Sequence, residues 1–77
     1  MENSLKEQSE KYLNTYVGLY PKRGNQIKLT SEQLIEAGYN PNLNTGCIGY
    51  VVVKNEAMGF KFYPYVKCSD YMTKGYE

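Results

Sequence analysis

Two cysteines, Cys47 and Cys68, close off a stretch whose two halves both alternate: C-I-G-Y-V-V-V-K-N-E-A-M-G-F-K-F-Y-P-Y-V-K-C. Side chains along a strand point to opposite faces with period two, so the stretch reads as a β-hairpin with one cysteine at the open end of each strand. Setting Cys47 opposite Cys68 fixes the register. Val51 then faces Pro64, Val53 faces Phe62 and Lys54 faces Lys61. The turn falls on Asn55 to Phe60, with Gly59 available for a left-handed position. One face carries Cys47, Gly49, Val51, Val53, Phe62, Pro64, Val66 and Cys68 and reads as core. The other carries Ile48, Tyr50, Val52, Lys54, Lys61, Tyr63, Tyr65 and Lys67 and reads as a half-solvated surface.

A Cys47–Cys68 bridge would close a loop of about twenty residues, worth about 3 kcal/mol in the chain-entropy picture. Two buried free thiols are the alternative. Cysteines directly opposite at the ends of paired strands sit near the separation a bridge needs, which favours the bond. A bond in turn implies an oxidising compartment. Cross-strand disulfides prefer non-hydrogen-bonded pairs, and counting inward by twos makes Val51–Pro64 such a pair as well. The ring nitrogen of Pro64 then points away from its partner, so residues 60–68 should form an edge strand at least near Pro64.

A chain of 77 residues is one domain and buries only roughly 60% of its unfolded surface, so a covalent staple is useful to it. A net charge of +1 gives no strong field over the whole surface to draw in nucleic acid or an acidic membrane. No apolar run approaches a membrane span, and the N-terminus lacks the basic-then-apolar pattern of an export signal. A disulfide domain needs an export route, so Met1 is expected to open a segment of a longer, exported or anchored chain. No Asn-x-Ser/Thr acceptor occurs.

Taken in order, residues 2–20 read as an amphipathic helix. Leu5, Tyr12, Leu13, Tyr16, Val17, Leu19 and Tyr20 fall on one broad stripe. Glu2/Lys6 and Glu7/Lys11 are i,i+4 pairs, and Ser4 to Glu7 matches a capping box. Pro21 and Gly24 stop the helix. Ile27 and Leu29 then alternate with Gln26 and Lys28, which fits a short strand or a loop pinned to the core. Thr30-Ser-Glu-Gln33 is a second capping box and starts a short helix over 31–37, with Gly38 ready for the C′ position. Its buried side is expected to be Leu34, Ile35 and Tyr39. A turn-rich connection over 40–46 leads into the hairpin. In the polar tail, 69–77, Tyr71 is expected to pack back beside the disulfide, and Tyr76 and Glu77 to fray.

Little in the chain points to catalysis. There is no histidine, the commonest general base and metal ligand. Two cysteines this far apart make neither a zinc site nor a Cys-x-x-Cys redox motif. Glu32 and Glu36 share one face of the short helix and read as solvated. Gly46 and Gly49 lack the following helix that a phosphate loop needs. Neither an enzyme, a metal nor a cofactor is expected.

Tyrosine is the unusual feature, nine residues with no tryptophan. Tyr50, Tyr63 and Tyr65 share a sheet face with Lys54, Lys61 and Lys67, the candidate contact face. Aromatics among cations on a sheet can hold single-stranded nucleic acid by stacking and phosphate contact. The same residues also serve subunit packing or ligand contact. They equally make an ordinary wet sheet surface, because tyrosine favours strands and pairs across them.

Three segments in order carry a family resemblance: L-T-S-E-Q-L-I-E-A-G-Y (29–39), C-I-G-Y-V-V-V-K-N (47–55) and F-Y-P-Y-V-K-C-S-D-Y-M-T-K-G-Y (62–76). Residues 29–76 resemble the C-terminal globular part of type IV pilin-like and pseudopilin-like surface proteins of Gram-positive bacteria. The resemblance implies a membrane-anchored N-terminal helix followed by a soluble domain in which helix packs on antiparallel sheet. It also places Cys47 and Cys68 where such proteins form a disulfide, and makes residues 2–20 the soluble end of the long helix. The prepilin leader and the apolar Phe-Thr-Leu-x-Glu segment of that family are not in this sequence.

The expected fold is therefore α+β: an N-terminal amphipathic helix and a short second helix packed on a small antiparallel sheet centred on a disulfide-linked hairpin. The expected role is a non-catalytic extracellular domain, a structural subunit of a surface filament, secretion or uptake apparatus. Its partners would be other subunits, with membrane contact only through the missing anchor helix. The alternative is a small secreted or phage-borne binding module whose Tyr/Lys face takes a ligand or single-stranded nucleic acid.

Overall fold

The computed structural model describes residues 1–76. It has the α+β architecture expected: helix α1 (Glu2–Thr15), a 3-10 turn (Val17–Leu19), strand β1 (Gln26–Thr30), helix α2 (Ser31–Glu36), and strands β2 (Ile48–Glu56) and β3 (Gly59–Lys67). The three strands form one antiparallel sheet in the order β1-β2-β3. Cys47 and Cys68 are bonded, with their Cα atoms 4.3 Å apart. That is the spacing of a non-hydrogen-bonded cross-strand pair. The inward register follows: Val51 pairs with Pro64, Val53 with Phe62 and Lys54 with Lys61.

As the proline required, β3 is an edge strand. Val66, two residues from Pro64 and so pointing its backbone the same way, sends its N–H outward to Thr73 Oγ1 at 2.9 Å. Its carbonyl accepts from Thr73 N at 2.8 Å. Pro64 sits where no such donor is required.

The core lies between the sheet and the helices: Leu5, Leu13, Leu29, Leu34, Val51, Val53 and Val66 are buried together. On α1 the buried positions are Leu5, Ser9 and Leu13, one per turn. Ser9 keeps its hydroxyl satisfied by donating to the Leu5 carbonyl at 2.9 Å. A second small residue lets the helix come close to the sheet. A Cβ on Gly49 would stand 2.7 Å from the Tyr65 carbonyl oxygen and 3.0 Å from Leu5 Cδ2. Glycine is thus required there by contact rather than by backbone angle.

Five local expectations need correction. First, α1 ends at Thr15 rather than at residue 20, and Tyr16, Val17 and Leu19 are exposed. The tighter turn over 17–19 returns Tyr20 to the body of the protein. Its ring lies 4.2 Å from Phe60 and its hydroxyl donates to Asn14 Oδ1 at 2.9 Å. Second, Ser4 lies inside the helix, whose N-cap is Met1, so the Ser4–Glu7 box caps nothing.

Third, the hairpin turn is Ala57–Met58, and both strands run into the segment assigned to the turn. The loop before β1 holds β2 straight that far. Asn55 donates from its backbone to Asn25 O (3.1 Å) and from Nδ2 to Pro21 O (2.9 Å), and accepts from Gly24 N (3.1 Å). Gly59 does take a positive φ, 121°.

Fourth, Ile35 is exposed, although Leu34 is fully buried. Helix α2 is too short to bury neighbouring positions, and its C-terminal cap turns the chain away. Gly38 N–H donates to Ile35 O and Tyr39 N–H to Leu34 O, a Schellman arrangement. Tyr39 lands on α1, edge-on to Tyr12 and hydrogen-bonded to Thr15 Oγ1 at 2.8 Å. At the other end the predicted Thr30–Gln33 capping box is present. The fifth correction is Tyr76, which packs against Tyr50 instead of fraying; Glu77 lies outside the described residues.

Candidate functional site

The sheet has one face covered by α1 and α2 and one left open. Alternation puts Gln26, Lys28 and Thr30 of β1, Ile48, Tyr50, Val52 and Lys54 of β2, and Lys61, Tyr63, Tyr65 and Lys67 of β3 on the open face. The six candidate contact residues Tyr50, Lys54, Lys61, Tyr63, Tyr65 and Lys67 therefore do share a surface. They do not share an environment.

Around Tyr50 the face is closed by neighbouring side chains and the tail, while Ile48 and Lys67 beside the disulfide stay exposed. Tyr50 is 7% exposed, against the half-solvated position expected. Its ring stacks on Tyr65 at 5.0 Å and meets Tyr76 at 5.1 Å, with Lys28 Nζ 4.1 Å from the ring centre. The tail causes this burial. It runs back along β3, where Cys68 N–H donates to Tyr71 O at 2.6 Å and Lys67 bridges to Met72. It then turns at Gly75, where a Cβ would come within 3.2 Å of the Tyr65 ring.

A latch to α1 holds the tail in place. The Glu2 carboxylate accepts hydrogen bonds from the Tyr71 hydroxyl and from Thr73 Oγ1, the latter at 2.7 Å. These two bonds, Tyr71's first, hold the Glu2 carboxyl below its ordinary range. The same bond raises the Tyr71 phenol. The Tyr71 backbone thus lies next to Cys68, while its side chain, expected to pack beside the disulfide, is exposed and has its hydroxyl engaged by the helix.

Toward the hairpin turn the face stays open. Lys54 and Lys61 are direct cross-strand partners, Lys28 stands on β1 opposite Val52, and Tyr63 is 37% exposed. Lys54 Nζ lies 5.3 Å from the Tyr63 ring centre. Lys67 stands apart, beside the disulfide opposite Ile48. Lys28 and Tyr76 are the residues of this face that sequence reasoning missed. The alternation of Ile27 and Leu29 already pointed Lys28 outward. Nothing local to Tyr76 marked where its ring would go.

No family model, no curated protein and no solved structure matches the chain.

Proposed function

We propose that this chain is a non-catalytic domain working outside the reducing cytoplasm, as a pilin-like or pseudopilin-like subunit of a surface filament, secretion or uptake apparatus, and that it meets its partners through the open sheet face. The bond between Cys47 and Cys68, which ties β2 to β3, the two strands of the sheet on which α1 packs, is the observation that carries the reading. Such a bond persists where glutathione and thioredoxin do not reduce it. The ordered helix, strand and cysteine segments of residues 29–76 support the pilin-like part of the proposal.

The reading is tested by labelling whole cells of the source organism with an antibody against the domain. Labelling of intact cells, with the antigen lost after mild protease shaving, is the expected result. An antigen reached only after lysis, with both cysteines reduced, would refute it.

A second reading, a small secreted binding module using the same face, is favoured by one observation. Lys54 and Lys61 face each other across β2 and β3, although like charges placed directly opposite destabilise a sheet.

A further inference from the structure

We infer that Lys28, Lys54 and Lys61 form a binding site for the phosphodiester backbone of a base-free polyanion, such as a polyol phosphate chain. The inference rests on the open face being the contact surface and names what that surface takes. The strands carry four lysines, Lys28, Lys54, Lys61 and Lys67, all on the open face, against one acid, Glu56. Glu56 pairs with Gly59 and is therefore diagonal to Lys61, and Glu32 lines the same cleft as Lys28, so two acids stand against the three cations and the corner keeps a net positive charge centred on Lys54.

Lys54 and Lys61 are placed in the one relation a sheet ordinarily avoids. Lys28, paired with Val52, is diagonal to Lys54, about 7–8 Å away by sheet geometry. Ring faces hold Lys28 (4.1 Å from the Tyr50 centroid) and Lys54 (5.3 Å from the Tyr63 centroid). A ring face positions an ammonium without neutralising it. Two of the three cations are held in place by rings, and with Lys61 they spread a net positive charge across three adjacent strands that fits successive phosphates of an extended chain.

The aromatics decide whether bases add anything to binding of the phosphodiester backbone. Binding of single strands depends on free ring faces on which bases stack. Tyr50 is buried and its ring is stacked on Tyr65, which Gly75 and the tail cover. The accessible ring, Tyr63, has Lys54 over it. The face keeps its charge and has lost its stacking platform.

The test measures binding by isothermal titration at low and moderate salt. The probes are a glycerol phosphate polymer, an abasic oligodeoxynucleotide and an oligothymidylate, matched in phosphate number. All three should bind with similar affinity, with log K falling against log salt at a slope of about −2, as for three phosphates of a single strand. Lys61→Glu should reduce binding of each at least tenfold while raising the melting temperature by a few degrees, since it removes the like-charge pair. Lys54→Glu should do the same.

No binding at low salt would overturn the inference, as would Lys61→Glu binding as well as the parent. Oligothymidylate binding tenfold tighter than the abasic strand would also overturn it and show a base-stacking site instead. None of these outcomes bears on which side of the membrane the domain occupies, so the cell-labelling result stands or falls separately.

Discussion

At the scale of single residues, two positions show how contact rather than residue type sets importance. Gly49 has no special backbone angle among those given a positive φ, yet α1 rests on it through Leu5. Gly49→Ala should destabilise the fold by about 1–3 kcal/mol, the usual effect of overpacking, read from urea unfolding. A stability equal to the parent would show that Leu5 can move aside.

Tyr50 and Tyr63 lie on the same face two rows of pairing apart, with 7% and 37% exposure. Tyr50→Ser should therefore cost about 3 kcal/mol, in the range of truncating a buried aromatic, and Tyr63→Ser less than about 1 kcal/mol. Val53→Ala, in the core, should also exceed Tyr63→Ser. If Tyr63 proved the more costly of the two tyrosines, the tail would not be covering the face around Tyr50. Periodicity placed all three side chains on the correct faces. It could not show that Tyr50 is buried on the wet side, because the covering groups, Tyr76 and Lys28, come from distant parts of the chain.

At the scale of elements, the chain divides into parts with local signals and parts without. Helix α2 was legible because Thr30 and Gln33 cap it and Gly38 ends it, all within nine residues. Thr30→Ala should cost about 1 kcal/mol, checked by thermal melts. The end of α1 was not legible, since Val17, Leu19 and Tyr20 extend the apolar stripe, and the chain is folded back by contacts distant in sequence, Tyr20 with Phe60 and Asn55 with Pro21 and Gly24.

The tail is held by the Glu2 latch, and its pH dependence has a definite sign. Glu2 ionises more readily in the folded protein than a free carboxyl, whose ordinary pKa is about 4.5, because Tyr71 and Thr73 donate to it. The unfolded chain therefore takes up a proton first as pH falls. The latch's contribution is complete above about pH 5, and is lost as pH drops through 4.5 toward the lower folded value. Glu2→Gln should flatten the stability profile between pH 5 and 3 and speed hydrogen exchange at the Thr73 and Cys68 amides. An unchanged acid limb would show that other carboxylates govern it.

For the whole molecule, a 77-residue chain with seven apolar side chains in its buried core cluster has its β2–β3 register held by a covalent staple. One bond determined much that was readable in advance: the pairing down to Lys54–Lys61, the core face of Val51, Val53 and Val66, and the edge position of Pro64. What lies further from the bond in space or sequence, the turn at Ala57–Met58 and the wrap of the tail, depended on contacts that no local pattern encodes.

Reduction should lower the melting temperature by about 10–20 °C, since the bridge closes a loop of about twenty residues and is worth about 3 kcal/mol. The most direct measurement of the central claim is a thiol titration of protein taken from its native source. The material is quenched with an alkylating reagent at harvest and then denatured. No alkyl label on either cysteine at harvest, and two thiols per chain released by reduction, are expected. Two alkylated cysteines per chain, with no thiol released by reduction, would contradict both the stapled sheet and the proposed place of this domain outside the reducing cytoplasm.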